Sequence, residues 1–163
     1  MRIIGIDPGT GILGFGVIDV GGRGNSLSMV TAGVITTPAH TPLEERLVEI
    51  FDGLTDIIAE TKPDVMSIEK LFFAQNITTA ISVSHARGVA MLTGKQAGLV
   101  IAEYTPLQIK QTITGYGRAT KKQMQEMVKL QLRLKVTPKP DDAADALAAA
   151  ITHSLMSRQN GKI

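Results

Sequence analysis

Residues 2–20 read RIIGIDPGTGILGFGVIDV. The first six, RIIGID, are apolar up to the closing acid and of strand length, so 2–7 predicts a short buried strand. Gly9 and Gly11 then predict a tight turn. LGFGVIDV at 13–20 predicts a second strand, in which Gly14 and Gly16 alternate with larger residues. GGRGNS at 21–26 is another turn, and residues 27–36 a third strand that closes a three-strand meander.

Beyond the meander the period changes. Thr41 and Pro42 open a helix along which Leu43, Leu47, Ile50, Phe51, Leu54, Ile57 and Ile58 recur at helical spacing, and Lys62-Pro63 stops it. DVMSIE at 64–69 predicts a fourth strand that again ends on an acid. A helix of about two dozen residues at most begins near Asn76. It carries small residues at Ala86, Ala90 and Gly94, a stripe that permits close helix–helix contact between two copies, or plain packing on the sheet, and LVIAEY at 99–104 predicts a fifth strand. The rest reads as helical: a short helix at 106–112, a Gly115-Tyr116-Gly117 loop, and a basic helix capped by Thr120 and running to about Leu134. Pro138 and Pro140 act as breakers, and a last helix runs from Asp141 or Asp142 to about Met156. Meander neighbours are antiparallel and helix crossovers give parallel ones. The expected fold is α/β: a five-stranded mixed sheet, three antiparallel strands plus two parallel, flanked by helices. One domain over 1–157 is expected, with 158–163 as a frayed tail.

The 163 residues are 44% hydrophobic and 20% charged, ordinary values for a globular chain. There is no cysteine, which excludes disulfides and thiolate-bound zinc. The opening apolar run is too short for a signal peptide, and no later run would cross a membrane, so a cytoplasmic protein with no membrane partner is expected. The net charge of +2 conceals an asymmetry. Residues 110–139 hold eight basic residues and one acid, Glu126, whereas the rest of the chain carries nine basic and fourteen acidic residues. A basic segment on an otherwise acidic chain suggests a polyanionic partner; a solvated helix face rich in lysine is the plainer reading.

Four acids stand out. Asp7 ends a strand beside a glycine turn, where a ligand can approach the backbone closely, although an Asp there can also simply cap its turn. Glu69 ends another apolar strand, a position that can equally be a strand leaving the core. Asp142 and Asp145 are three apart on one helix and share a face, beside the arc formed by Ala143, Ala146, Leu147, Ala150, Ile151 and Ser154. A helix start favours acids through its dipole, which accounts for Asp141 and Asp142 better than for Asp145, one turn further in. Together these acids form an oxygen-only ligand set, with no cysteine and only scattered histidines. Such donors select Mg²⁺ or Mn²⁺, and two ions in one site would activate water and stabilise the leaving oxygen of a phosphodiester.

GIDPGT (5–10), SIEKLFFAQN (67–76), HARGVA (85–90), IKQTITGYGRATK (109–121) and DDAADALAAAITH (141–153) resemble, in order, the successive blocks of the RuvC Holliday-junction resolvases. The blocks span most of the chain, and the last is the most specific. The resemblance implies an RNase H-like fold, a homodimer acting on four-way junction DNA, and an endonuclease working in DNA recombination and repair. Its site would bind Mg²⁺ or Mn²⁺, two ions per site, through Asp7, Glu69, Asp142 and Asp145. It also implies a link to the RuvAB branch-migration motor. Some members of the family carry His where this chain has Asp142. Asp141 is an extra neighbour, read as a helix cap.

The resemblance further implies that aromatics beside Glu69 insert near the junction crossover. Phe72 and Phe73 are adjacent in that loop; stacked on unpaired bases, or closing the core beneath, one of each is expected. Lys110 and Lys121 match basic positions that lie near the scissile phosphate in the family. Arg118 and Lys122 are candidate backbone contacts, and His153 on the last helix is read as a satisfied buried histidine. Three other readings compete with this one. An actin-like ATPase or sugar kinase shares the GID opening, but the chain is short for a duplicated domain and has no second phosphate loop. A YqgF-type nuclease has a similar opening, but the basic 110–139 segment and the DDAADALA block argue against it. A catalytically silent branched-DNA binding module would not need four intact acids.

Overall fold

The computed structural model describes residues 1–21, 26–70 and 77–159. Its strands are β1 (Arg2–Asp7), β2 (Ile12–Val20), β3 (Leu27–Thr36), β4 (Val65–Glu69) and β5 (Val100–Tyr104). Its helices are α1 (Leu43–Thr61), α2 (Ile77–Gln96), α3 (Pro106–Thr114), α4 (Lys121–Gln131) and α5 (Asp141–Gln159). The five strands form one sheet in the order β3-β2-β1-β4-β5. The β1–β2 and β2–β3 pairs are antiparallel, and the β1–β4 and β4–β5 pairs are parallel. This is the expected mixed sheet, with β1 at its centre.

Side chains alternate across the sheet with period two. Ile4, Ile6, Leu13, Val17, Met66 and Ile68 pack with residues of α1 and α2. Ile3, Ile18 and Val65 pack on the opposite face with residues of α3, α4 and α5. Asp7 and Glu69 continue the Ile3–Gly5 and Val65–Ser67 rows, so both acids come out on the α5 face.

The last helix lies on the sheet almost backbone to backbone. A Cβ at Gly5 would overlap the Ala146 carbonyl oxygen and stand 2.7 Å from the Ala150 amide nitrogen. One at Gly14 would stand 2.6 Å from the Asp142 carbonyl carbon. Gly5 pairs with Gly16 and Asp7 with Gly14 across β1 and β2, so the glycines form one bare patch beside Asp7. The alanines of α5 complete the close fit, and Ser67 fixes its height by donating from Oγ to the Ala149 carbonyl at 2.6 Å.

Several expectations need correction. The buried surface of α5 is not a single arc: Ala144, Ala148 and Ala149 are buried as fully as Ala143, Ala146 and Ala150, because α3 and α4 cover the side that the sheet does not. The helix continues past Met156 to Gln159, so residues 158 and 159, expected in a tail, are helical. The basic helix α4 ends at Gln131 rather than near Leu134, since Arg133 adopts a left-handed conformation with φ 53°. The stripe Ala86, Ala90 and Gly94 suggested a helix–helix contact between two copies. Instead Ala86 and Ala90 belong to the core, and a Cβ at Gly94 would meet Met66 and Ile101. The stripe is small because α2 rides low on the sheet.

Candidate active site

Parallel pairing of β1 with β4 brings two strand ends side by side. Ile6 is in register with Ile68, so Asp7 and Glu69 leave the sheet as neighbours. The contact of α5 with Gly14 sets Asp142 over the strand next to Asp7, and Asp145 follows one turn later on the same helix face. From the other side, α3 and α4 bring Lys110 and Lys121. Glu69, Lys110, Lys121 and Asp145, with Ile109 and Met124 beneath, line a cleft of about 260 Å³.

The acids also act on one another electrostatically. Burial, and then the charges of Glu69, Asp145 and Asp142, push the Asp7 carboxyl up to about 7, with Lys121 pulling the other way. Glu69 is pushed to about 7 by burial and then by Asp145, against the pull of Lys110. Asp145 is raised by burial and by its acidic neighbours Asp142 and Asp141, with Lys121 opposing. Lys121 bridges two of the acids, its Nζ 3.3 Å from Asp141 Oδ2 and 3.5 Å from Asp145 Oδ2. Burial works against its charge, but Asp145 and Asp141 raise its pKa overall.

Among the described residues no three acids or histidines stand at ion-ligating geometry; Asp145 is engaged by Lys121 instead. The donor set nevertheless fits a hard divalent cation. Partly buried carboxylates crowd together with only Lys110 and Lys121 to offset their charge, and every donor is oxygen.

These raised pKa values, due to burial first and to the neighbouring acids second, have a testable sign. Between about pH 4 and 7 native Asp7 and Glu69 keep protons that the unfolded chain has lost, so metal-free stability falls as pH rises through that window. In EDTA, Asp7→Asn should therefore gain stability relative to wild type between pH 5 and pH 8, by more than about 1 kcal/mol in urea unfolding. Comparing the two proteins cancels His153, whose pKa is lowered by burial and acts in the opposite sense. A difference independent of pH would mean that neither burial nor the neighbouring acids raise the Asp7 carboxyl.

The other sequence candidates are spread more widely. Arg118 and Lys122 are exposed around the start of α4, outside the cleft. Lys122 lines a separate groove of about 460 Å³ with Tyr116, Thr120 and Glu126. Phe72 and Phe73 lie outside the described residues. His153 is half-buried, and its Nδ1 meets the Tyr104 hydroxyl at 2.9 Å, as a satisfied structural histidine should. Asp141 opens α5, but its carboxylate is spent on Lys121 and on Gln125, whose Nε2 donates to Oδ1 at 2.9 Å. Sequence reading missed that link, and also the role of Gly5, Gly14 and Gly16 in seating α5. The available signal was the glycine alternation in β2 set against an alanine-rich last helix.

The family described as "Crossover junction endodeoxyribonuclease RuvC" matches residues 3–153. A protein of that name from Brevibacillus brevis is 54% identical, covering 94% of this chain and 92% of its own length. One from Thermomicrobium roseum is 50% identical, covering 97% and 95%. Among solved structures, Thermus thermophilus RuvC in complex with a Holliday junction substrate superposes with a TM-score of 0.92 at 33% identity, covering 99% of this chain and 97% of the other.

Proposed function

This chain belongs to the RuvC family of crossover junction endodeoxyribonucleases, and from that membership we propose that it resolves Holliday junctions by paired phosphodiester cleavage during DNA recombination and repair. The observation that carries the reading at the level of chemistry is the meeting of Asp7, Glu69, Asp142 and Asp145 at one sheet end, flanked by Lys110 and Lys121. In this proposal the four acids hold divalent metal, Mg²⁺ or Mn²⁺, as two ions per site. When bound, the metal supplies activated water and charge stabilisation at the leaving oxygen. The chain's own groups do the rest. The acids orient that charge, α5 shields the site from below, and Lys110 and Lys121 attract the phosphate to the cleft and stabilise its developing charge.

Two cuts in a symmetric four-way junction call for two identical sites, so we propose a homodimer. With the Ala86–Ala90–Gly94 stripe occupied by the sheet, a contact between copies must use another surface. RuvAB is the proposed partner motor, and a cytoplasmic location is proposed with it, since the proposed substrate is DNA. No helix among the described residues is long and apolar enough to cross a membrane. The decisive experiment incubates the purified protein with a four-way junction and Mg²⁺, against linear duplex and against an ATP hydrolysis control. Paired nicks confined to the junction are expected. Cutting of linear duplex at the same rate, or ATP turnover, would overturn the proposal.

Arg118 and Lys122 are proposed as phosphate contacts outside the cleft. Each phosphate contact contributes about −0.9 to the slope of log K against log salt. Arg118→Ala and Lys122→Ala should each weaken binding equally across junction sequences and flatten that slope by about one such share. A slope unchanged in both variants would reduce this face to solvated charge.

A further inference from the structure

Asp141 is the acid that the proposed metal set leaves over. It begins α5 with its side chain 54% exposed, and two residues of α4 reach it. Lys121 and Gln125 are four apart, on one face of that helix. The Asp141 carboxylate takes one contact from each: Lys121 Nζ at 3.3 Å from Oδ2, and Gln125 Nε2 at 2.9 Å from Oδ1. The same Lys121 Nζ lies 3.5 Å from Asp145 Oδ2. Lys121 therefore stands between one carboxylate inside the proposed metal set and one outside it.

A divalent cation taken up by Asp145 would cancel that carboxylate's attraction for the ammonium and repel it. The hold of Asp141 is untouched by that exchange, and the Gln125 hydrogen bond keeps its carboxylate in place. We propose that Asp141, braced by Gln125, is a positioning residue that keeps the Lys121 ammonium at the cleft once Asp145 is engaged by metal. The inference rests on the resolvase reading of this site. A plainer role exists, an acid at a helix start complementing the dipole, and it differs in one respect: it would not depend on Lys121.

That dependence is the test. Asp141→Asn, made in the wild-type and in the Lys121→Met background, is assayed for single-turnover cleavage of a four-way junction at saturating protein and Mg²⁺, beside the junction Kd. In the wild-type background cleavage should fall about tenfold, with Kd within about twofold. In the Lys121→Met background the second substitution should cost nothing further. An equal loss in both backgrounds would overturn the proposal, because Asp141 would then act by its own field or through its helix.

A second readout needs no turnover. Reductive methylation of Lys121 in EDTA, followed by mass spectrometry with Lys122 as the reference, should rise severalfold when Asp141→Asn is added to Asp145→Asn, in which only Asp141 still holds the ammonium. In wild type with Mg²⁺, Lys121 should remain protected. Unchanged labelling would also overturn the proposal. Should Asp141→Asn prove less stable by thermal melting, Gln125→Ala carries the same test with a smaller loss in the same direction. If the wild type does not cut junctions, the resolvase reading fails, whereas the labelling still judges the link between Asp141 and Lys121.

Discussion

Asp7→Asn, Glu69→Gln, Asp142→Asn and Asp145→Asn are each expected to lower junction cleavage by about a thousandfold or more while junction binding stays within a fewfold. The magnitude follows from the task proposed for these acids. Metal-based charge stabilisation is worth several kcal/mol in a phosphodiester transition state, and each 1.36 kcal/mol is about tenfold in rate. Binding should survive because an amide removes negative charge from a surface that meets phosphates, which relieves repulsion. The four should not be equivalent. The family resemblance tolerates His in place of Asp142, so Asp142→His should retain more activity than Asp142→Asn. Gel-shift titration in EDTA and single-turnover cleavage in Mg²⁺ separate binding from chemistry. Wild-type cleavage in any two of the amide variants would remove these residues from the site.

Gly14→Ala is expected to cost cleavage about a hundredfold or more without touching an acid. A Cβ there runs into the backbone of Asp142, and no side-chain rotation can relieve the overlap. The helix must shift by roughly an ångström, a displacement that can cost about a hundredfold when it moves a catalytic group. Gly5→Ala meets the Ala146 and Ala150 backbone deeper in the same interface. It should lower stability by about 3 kcal/mol, at or beyond the upper end of the usual cost of overpacking. Gly88→Ala is the contrast: nothing lies within 4 Å of the new Cβ, and the residue is inside α2. It should stabilise by roughly 0.5–1 kcal/mol, the helical advantage of Ala over Gly. Urea unfolding and cleavage on the same preparations distinguish these outcomes. If Gly14→Ala cuts as well as wild type, the close seat of α5 is not what places Asp142.

Both sets of variants probe the same design, a helix bearing two acids pressed onto two strands that end in acids. Most of its parts are legible in the chain. RIIGID and DVMSIE read as strands ending on acids because apolar runs of strand length are self-evident, and the spacing of Asp142 and Asp145 fixes a shared helix face. The helix starts at Thr105 and Thr120 are equally local, and both form capping boxes. The mixed pairing also follows, since a meander gives antiparallel neighbours and helix crossovers parallel ones; that β4 joins at β1 rather than at β3 is decided by the packed sheet.

What sequence alone determined was thus the element list, the mixed sheet and the acids with the basic segment beside them, because each depends on periodicity, capping or charge within a short window. Tertiary structure decided which partner each surface meets. The Ala86–Ala90–Gly94 stripe could serve a second copy or the sheet, and only the packed core assigns it to the sheet. An alanine-rich helix could carry one buried face or be enclosed; α3 and α4 close over α5 because their apolar stripes have no other cover. Asp141 and Lys121 are twenty residues apart in the chain, and no local pattern links them. They meet at 3.3 Å only because α4 lies across the start of α5, and a through-space charge pair has no period from which it could have been read.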